Sequence, residues 1–176
     1  RLHQTRWPGE IQESGWDYGS NLSYVKELCE YWETEYNWRQ HESRINSFNN
    51  LVTDIADLNI HFIYEKGKGP SPVPLVITHG WPSTFAEMLD VIPMLTDPVS
   101  YGGDAKDSFD VVVPSLPGYG FSGKPAKKGM DVRNVASIWS ELMKDVLGYE
   151  WFVAQGGDWG ASVTTALAAN YPELTK

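Results

Sequence analysis

The sequence predicts an α/β protein, a mostly parallel sheet with flanking helices, preceded by a helical arm. Three observations carry this. From residue 51 onward, short β-branched and aromatic runs alternate with longer segments of helical period. Most of these runs give way to glycine, proline or small polar residues. Residues 1–50, by contrast, hold one clear helical pattern, four tryptophans (Trp7, Trp16, Trp32, Trp38) and no strand-like run. Two parts are therefore expected: an arm over 1–50 and a sheet-bearing part over 51–176.

In the arm, Asn21 is placed to cap a helix on which Leu22, Val25, Leu28, Trp32 and Tyr36 recur three or four residues apart. Lys26, Glu27, Glu30 and Glu33 take the opposite side, so the helix is amphipathic and lies on something. Trp7-Pro8, Trp16 and Trp38 supply large apolar surface whose economical use is to pack the arm against the sheet-bearing part. Cys29, the single cysteine, sits in this pattern as a buried reduced thiol.

Leu51–Ile55 and Ile60–Tyr64, joined by residues 56–59, read as a β-hairpin. His61 alternates with Ile60 and Phe62 and so faces away from them, as a surface or half-buried strand residue with no second metal ligand at useful spacing. Beyond a Gly/Pro-rich loop come the strand Leu75–Thr78 and a helix from Ser83 to Leu95, with Thr84 and Glu87 at capping-box spacing. Phe109–Val113 is the next strand. A long helix runs from Asp131 through Val146 and ends near Gly148, then come a strand Trp151–Ala154 and a helix Ala161–Asn170. Strands and helices alternating in this way imply right-handed βαβ units.

The formal charge of −9 is spread along the chain without a basic cluster, which argues against nucleic acid or an anionic membrane as partner and favours a small neutral or hydrophobic substrate. No apolar run has the length of a membrane span, and the start does not resemble a signal peptide. A soluble cytoplasmic protein is the expectation, with an anchor upstream of Arg1 still compatible.

Chemistry concentrates in Gly156-Gly157-Asp158-Trp159-Gly160, between an apolar strand and a helix. Small residues around a central nucleophile permit a sharp, strained turn that lifts its side chain clear of the sheet, as in the serine motif G-x-S-x-G. Aspartate in that place attacks an electrophilic carbon and forms an ester, and the positive end of the adjoining helix favours its ionised form. Aspartate is also a routine helix cap, so the motif gains its meaning from two other segments. His79-Gly80-Trp81-Pro82 ends the strand Leu75–Thr78, where the Trp81 N–H can join the Trp159 N–H as an oxyanion hole. His79 precedes the nucleophile in the chain and is expected to shape this loop, not to act as base; Trp81-Pro82 is a candidate cis peptide. The third segment, Pro114 to Ser122, has two prolines and two glycines and makes a stiff loop in which Tyr119 and Phe121 shape or line a pocket.

Together H-G-W-P, P-S-L-P-G-Y-G-F-S and G-G-D-W-G resemble the epoxide hydrolase branch of the α/β-hydrolase superfamily. The residues before Leu75 resemble the amino-terminal domain of its microsomal type, with a Trp-Pro start, a Leu-Cys-Glu-Tyr-Trp helix and an Asn-Trp-Arg turn. The resemblance implies the amino-terminal half of the α/β-hydrolase fold and conversion of a small hydrophobic epoxide and water to a vicinal diol. Asp158 would form an ester while cap tyrosines protonate the departing oxygen. A histidine with an acidic partner would then activate water to hydrolyse the ester, with the Trp81 and Trp159 N–H groups holding the oxyanion. No metal and no organic cofactor is implied.

The chain departs from that pattern in one respect. All four histidines, His3, His41, His61 and His79, precede Asp158, and Tyr119 and Tyr171 do not match the cap tyrosines. The base, its acid partner and the cap are thus expected on a remainder that completes the hydrolase, with Lys176 short of the natural end and the nucleophile strand left with an open edge. A non-catalytic hydrolase fragment is the reading of a different class. A haloalkane dehalogenase is disfavoured because Trp81 stands where that family typically has a halide-binding asparagine.

Overall fold

The computed structural model describes residues 1–176. It divides into two compact units, Arg1–Ser43 and Arg44–Lys176.

In the first unit, α1 (Leu22–Thr34) begins where the Asn21 side chain accepts the Tyr24 N–H, satisfying one of the donors a helix start leaves free. The amide of Leu22 is bonded to Glu10, and His3 to Glu33, tying the irregular lead-in to the helix. Trp16 packs on Tyr24 with ring centroids 5.2 Å apart, and the Lys26 ammonium lies over the Trp7 ring. Cys29 is only partly buried, contrary to the expected core thiol, because α1 has no fully buried residue.

The second helix, α2 (Trp38–Ile45), leads into a five-stranded sheet with spatial order β1-β2-β4-β3-β5. Its strands are β1 (Asn50–Ile55), β2 (Leu58–Glu65), β3 (Val73–Thr78), β4 (Phe109–Pro114) and β5 (Val153–Gly156). The hairpin β1–β2 is antiparallel and turns through Ala56 and Asp57, both at positive φ; β2 joins β4 antiparallel, and β4, β3 and β5 run parallel. The chain is therefore α/β with a mostly parallel sheet, as the alternation of runs predicts.

Both faces of the sheet are covered, and the pleat decides which residues go where. Ile60, Phe62, Val76 and Val112 face one core, closed by α4 (Val132–Glu141) and α5 (Trp159–Asn170). Ile63, Leu75, Ile77, Val111 and Val113 face the other, closed by Phe85, Leu89 and Ile92. These three belong to a broken segment, a 3-10 turn Phe85–Met88 and then α3 (Val91–Thr96), where the sequence predicts one helix over 83–95. Pro93 is the reason. It cannot supply the N–H that a continuous helix would need there, but it is tolerated in the first turn of a helix that restarts at Val91. Thr84 does cap the segment, accepting the Ala86 N–H.

After Glu141 the helix widens into a π turn over Leu142–Val146, which keeps the successive residues Leu142 and Met143 both fully buried. Strand β5 begins two residues later than its apolar run suggests, because pairing of Val153 with Leu75 sets its register. Phe152, just before β5, instead bridges in parallel to Thr175. No helix is long and apolar enough to cross a membrane.

Trp139 is the largest fully buried side chain, and its indole N–H donates to the Thr78 hydroxyl at 3.0 Å, clamping α4 to the end of β3. Trp139→Ala removes that volume and strands a buried hydroxyl. A loss of about 3–5 kcal/mol is expected in urea unfolding of the parent protein.

Candidate active site

Three loops meet at the carboxyl edge of the parallel strands, the place where open α/β sheets build their sites. The first is the turn from β5 into α5. Asp158 sits there at φ 52°, ψ −120°, a left-handed, sparsely populated backbone for a residue with a Cβ. The turn is held by close approach on both sides. A Cβ on Gly156 would lie 2.4 Å from the carbonyl carbon of Gly160, and one on Gly160 would lie 2.1 Å from the Thr78 carbonyl oxygen. Only glycine lets α5 start this close to β3.

The Asp158 carboxylate does not cap its own helix. It turns instead toward the second loop, where Oδ1 accepts the Trp81 N–H at 2.9 Å. That bond, and after it the N–H of Trp159, holds its pKa below the ordinary carboxylate range, so Asp158 is ionised at neutral pH. The two N–H groups that the sequence points to as an oxyanion hole thus face one carboxylate. Gly80 permits the approach, since a Cβ there would stand 2.7 Å from that of Asp158. The Trp81–Pro82 peptide is cis.

His79 is fully buried between the second loop and the third. Its Nδ1 lies 3.0 Å from the Gly80 carbonyl, to which it can only donate, and its Nε2 accepts the Leu116 N–H at 3.1 Å. Burial pushes its pKa down more than the Gly80 carbonyl and Glu87 raise it, which fits a neutral ring with both nitrogens used. Tyr119 packs edge-on against this ring at 5.5 Å. Phe121 is 55% exposed and rests on Phe85 and on His61. Open cavities flank Asp158 on two sides. One of about 570 Å³ is lined by Gly80, Trp81, Pro82 and Gly157, and one of about 500 Å³ by Asp131, Val132, Trp159 and Ser162. Tyr119 and Phe121 line neither.

His61 corrects the sequence reading. It does face away from Ile60 and Phe62, but that face is covered by Phe85 and Phe121, and the residue is 2% exposed. Its Nδ1 is 2.9 Å from the Ser115 hydroxyl and its Nε2 is 3.0 Å from Asn50 Oδ1. The missed signal was that strands inside a sheet covered on both faces have no solvent side. Of the other histidines, His3 and His41 lie in the arm.

An aspartate lifted on a strand-to-helix turn, facing an amide of a neighbouring loop at the carboxyl edge of such a sheet, is an arrangement of the α/β-hydrolase class. Comparison with known proteins agrees. Residues 1–88 match the family described as epoxide hydrolase N terminus, and residues 73–176 match the α/β hydrolase fold. The chain belongs to the epoxide hydrolase family. Epoxide hydrolase 1 of Oryctolagus cuniculus is 40% identical over 100% of this chain and 39% of its own length. A protein of Stigmatella aurantiaca with a provisional epoxide hydrolase name is 48% identical over 98% of this chain and 39% of its own. Among solved structures, juvenile hormone epoxide hydrolase from the silkworm Bombyx mori superposes with a TM-score of 0.86 at 34% identity, covering 99% of this chain and 46% of that one. The chain spans about 39% of the length of the two curated relatives.

This geometry leads to two expected outcomes. Gly160→Ala drives a Cβ into the Thr78 carbonyl, and a stability loss of roughly 1–3 kcal/mol is expected in chemical denaturation. Burial pushes the His61 pKa down from 6.5 to about 4, so the unfolded chain takes up the extra proton first. The contribution of neutral His61 is complete above about pH 6.5 and is lost as pH falls toward 4, an effect of about 3 kcal/mol. His61→Asn should flatten the slope of stability against pH across that window.

Proposed function

We propose that the protein containing this chain hydrolyses epoxides to vicinal diols through an ester on Asp158. The observation that carries this reading is the Asp158 carboxylate itself, ionised, freed from helix capping and held by the Trp81 N–H on Oδ1. The epoxide hydrolases that match along the whole chain support it.

Oδ1 is engaged, so Oδ2 is the attacking atom. Its electron pair forms a bond to one epoxide carbon while the ring C–O bond to that carbon breaks. The departing oxygen takes a proton from an acid group outside this chain. The ester carbonyl oxygen is then the former Oδ1, already seated against the Trp81 N–H with Trp159 beside it. Water, losing a proton to a base also outside this chain, adds to the ester carbon. The oxyanion that develops stays on those two amides until the tetrahedral intermediate collapses; the departing diol oxygen takes the proton back from the base, the remaining proton of the water returns to the acid group, and the carboxylate is restored. Epoxide plus water gives diol, and no other reactant is needed. His79 serves the loop and not the proton transfers, because both its nitrogens are already committed.

The test is turnover of styrene oxide by the full-length protein in ¹⁸O-water under single-turnover conditions. The ester route predicts that the first diol carries unlabelled oxygen from Asp158 and that the label enters the Asp158 carboxylate. Asp158→Asn should abolish diol formation. Label in the first diol would mean direct attack by water, and no turnover by a folded full-length protein would favour the non-catalytic reading.

A further inference from the structure

A buried polar chain runs behind the oxyanion loop and ends on a residue remote from Asp158 in sequence. Asn50 uses its amide nitrogen to donate to the Ile45 and Phe48 carbonyls, at 2.8 and 2.9 Å. Its Oδ1 is thereby left to accept, so the His61 proton that meets it must be on Nε2. His61 Nδ1 must then accept the Ser115 hydroxyl proton. Ser115 has 0% exposure and its amide donates to the His61 carbonyl at 2.9 Å, so side chain and backbone fix the same pair. The next residue, Leu116, donates its N–H to His79 Nε2, and His79 Nδ1 reaches the Gly80 carbonyl. That carbonyl belongs to the same peptide unit as the Trp81 N–H. Each bond has one allowed direction, and the two neutral histidines relay the constraint from β1 to the amide on Asp158.

We infer that His61 is a positioning residue for the oxyanion amide of Trp81, acting through Ser115, Leu116 and His79. The inference rests on the proposed ester mechanism for its kinetic consequence, though not for its geometry. A displaced peptide weakens the hydrolytic step most, because that step develops full charge on the oxygen the amide holds. Substrate binding is not touched by it.

Two substitutions separate the two ends of the ring. Asparagine places an acceptor near the Nδ1 position and keeps the Ser115 bond, whereas glutamine reaches the Nε2 position and keeps the Asn50 bond. In the full-length protein, His61→Gln should slow ester hydrolysis roughly ten- to hundredfold, below the 10²–10³ of deleting a donor outright. The Asp158 ester should accumulate and KM should not rise. His61→Asn should stay within about threefold of the parent at the same melting temperature as the glutamine variant, a difference no general loss of packing produces. Equal rates in both variants, or losses that track stability alone, would overturn the inference. Should the variants not fold, imidazole ¹⁵N shifts of the parent decide it: the proton must be on Nε2 in His61 and on Nδ1 in His79, and the reverse tautomer in either breaks the chain. An inactive parent, or an active Asp158→Asn, would instead count against the ester reading and leave the tautomer result standing.

Discussion

The contact on which the rest of this structure turns is the approach of the β5–α5 turn to the end of β3. Gly160 stands against the Thr78 carbonyl, Gly80 against Asp158, and the Trp81 N–H closes on Oδ1 at 2.9 Å. Such proximity requires two parallel neighbours whose carboxyl ends are level, which is what the pairing of Thr78 with Gly156 supplies. The strained backbone at Asp158 costs on the order of 1–3 kcal/mol and persists only because packing around it leaves no alternative. Trp139, bonded to the Thr78 hydroxyl from below, helps to fix the strand end that this arrangement uses.

Sheet order explains why two histidines can sit dry beside a charged site. β2, which carries His61, and β3, which leads into His79, are interior strands of a sheet covered on one face by α4 and α5 and on the other by the Phe85–Thr96 segment. A buried imidazole is tolerated when it is neutral and both nitrogens are bonded, and His61 and His79 each meet that condition. The opposite end of the sheet handles charge differently. There Asp110 accepts from Lys66, Tyr149 and the Gly67 amide, a cluster that closes the amino ends of the strands.

Much of this was legible in the sequence. The period-two runs gave the strands, and the glycines around Asp158 and the H-G-W-P segment gave the site, because these are local requirements of a turn. The breaks lie where tertiary context overrides local pattern. Pro93 splits a helix whose apolar spacing is continuous. Val153 starts β5 because Leu75 is its partner, not because of its own run. His61 looks like a solvent-face residue until Phe85 and Phe121, distant in sequence, cover it. Nor could Asn50 and Ser115 be read as partners, since nothing in either residue alone marks a buried acceptor or donor.

In the proposed mechanism, the electrostatics of Asp158 also bear on what it attacks. Two amides that hold the carboxylate ionised lower its basicity, and with it its intrinsic strength as a nucleophile. Such a group suits an electrophile already activated by ring strain and by protonation of the leaving oxygen, and suits a poor alkyl electrophile less. In the proposed mechanism the same amides would polarise the ester, since its carbonyl oxygen would not leave their grip. Under the proposed reading, what the donors cost the first step they return in the second, where water is the weaker nucleophile and the charge to be held is greater. On that reading the 2.9 Å bond from Trp81 to Oδ1 serves the hydrolytic step more than the alkylation.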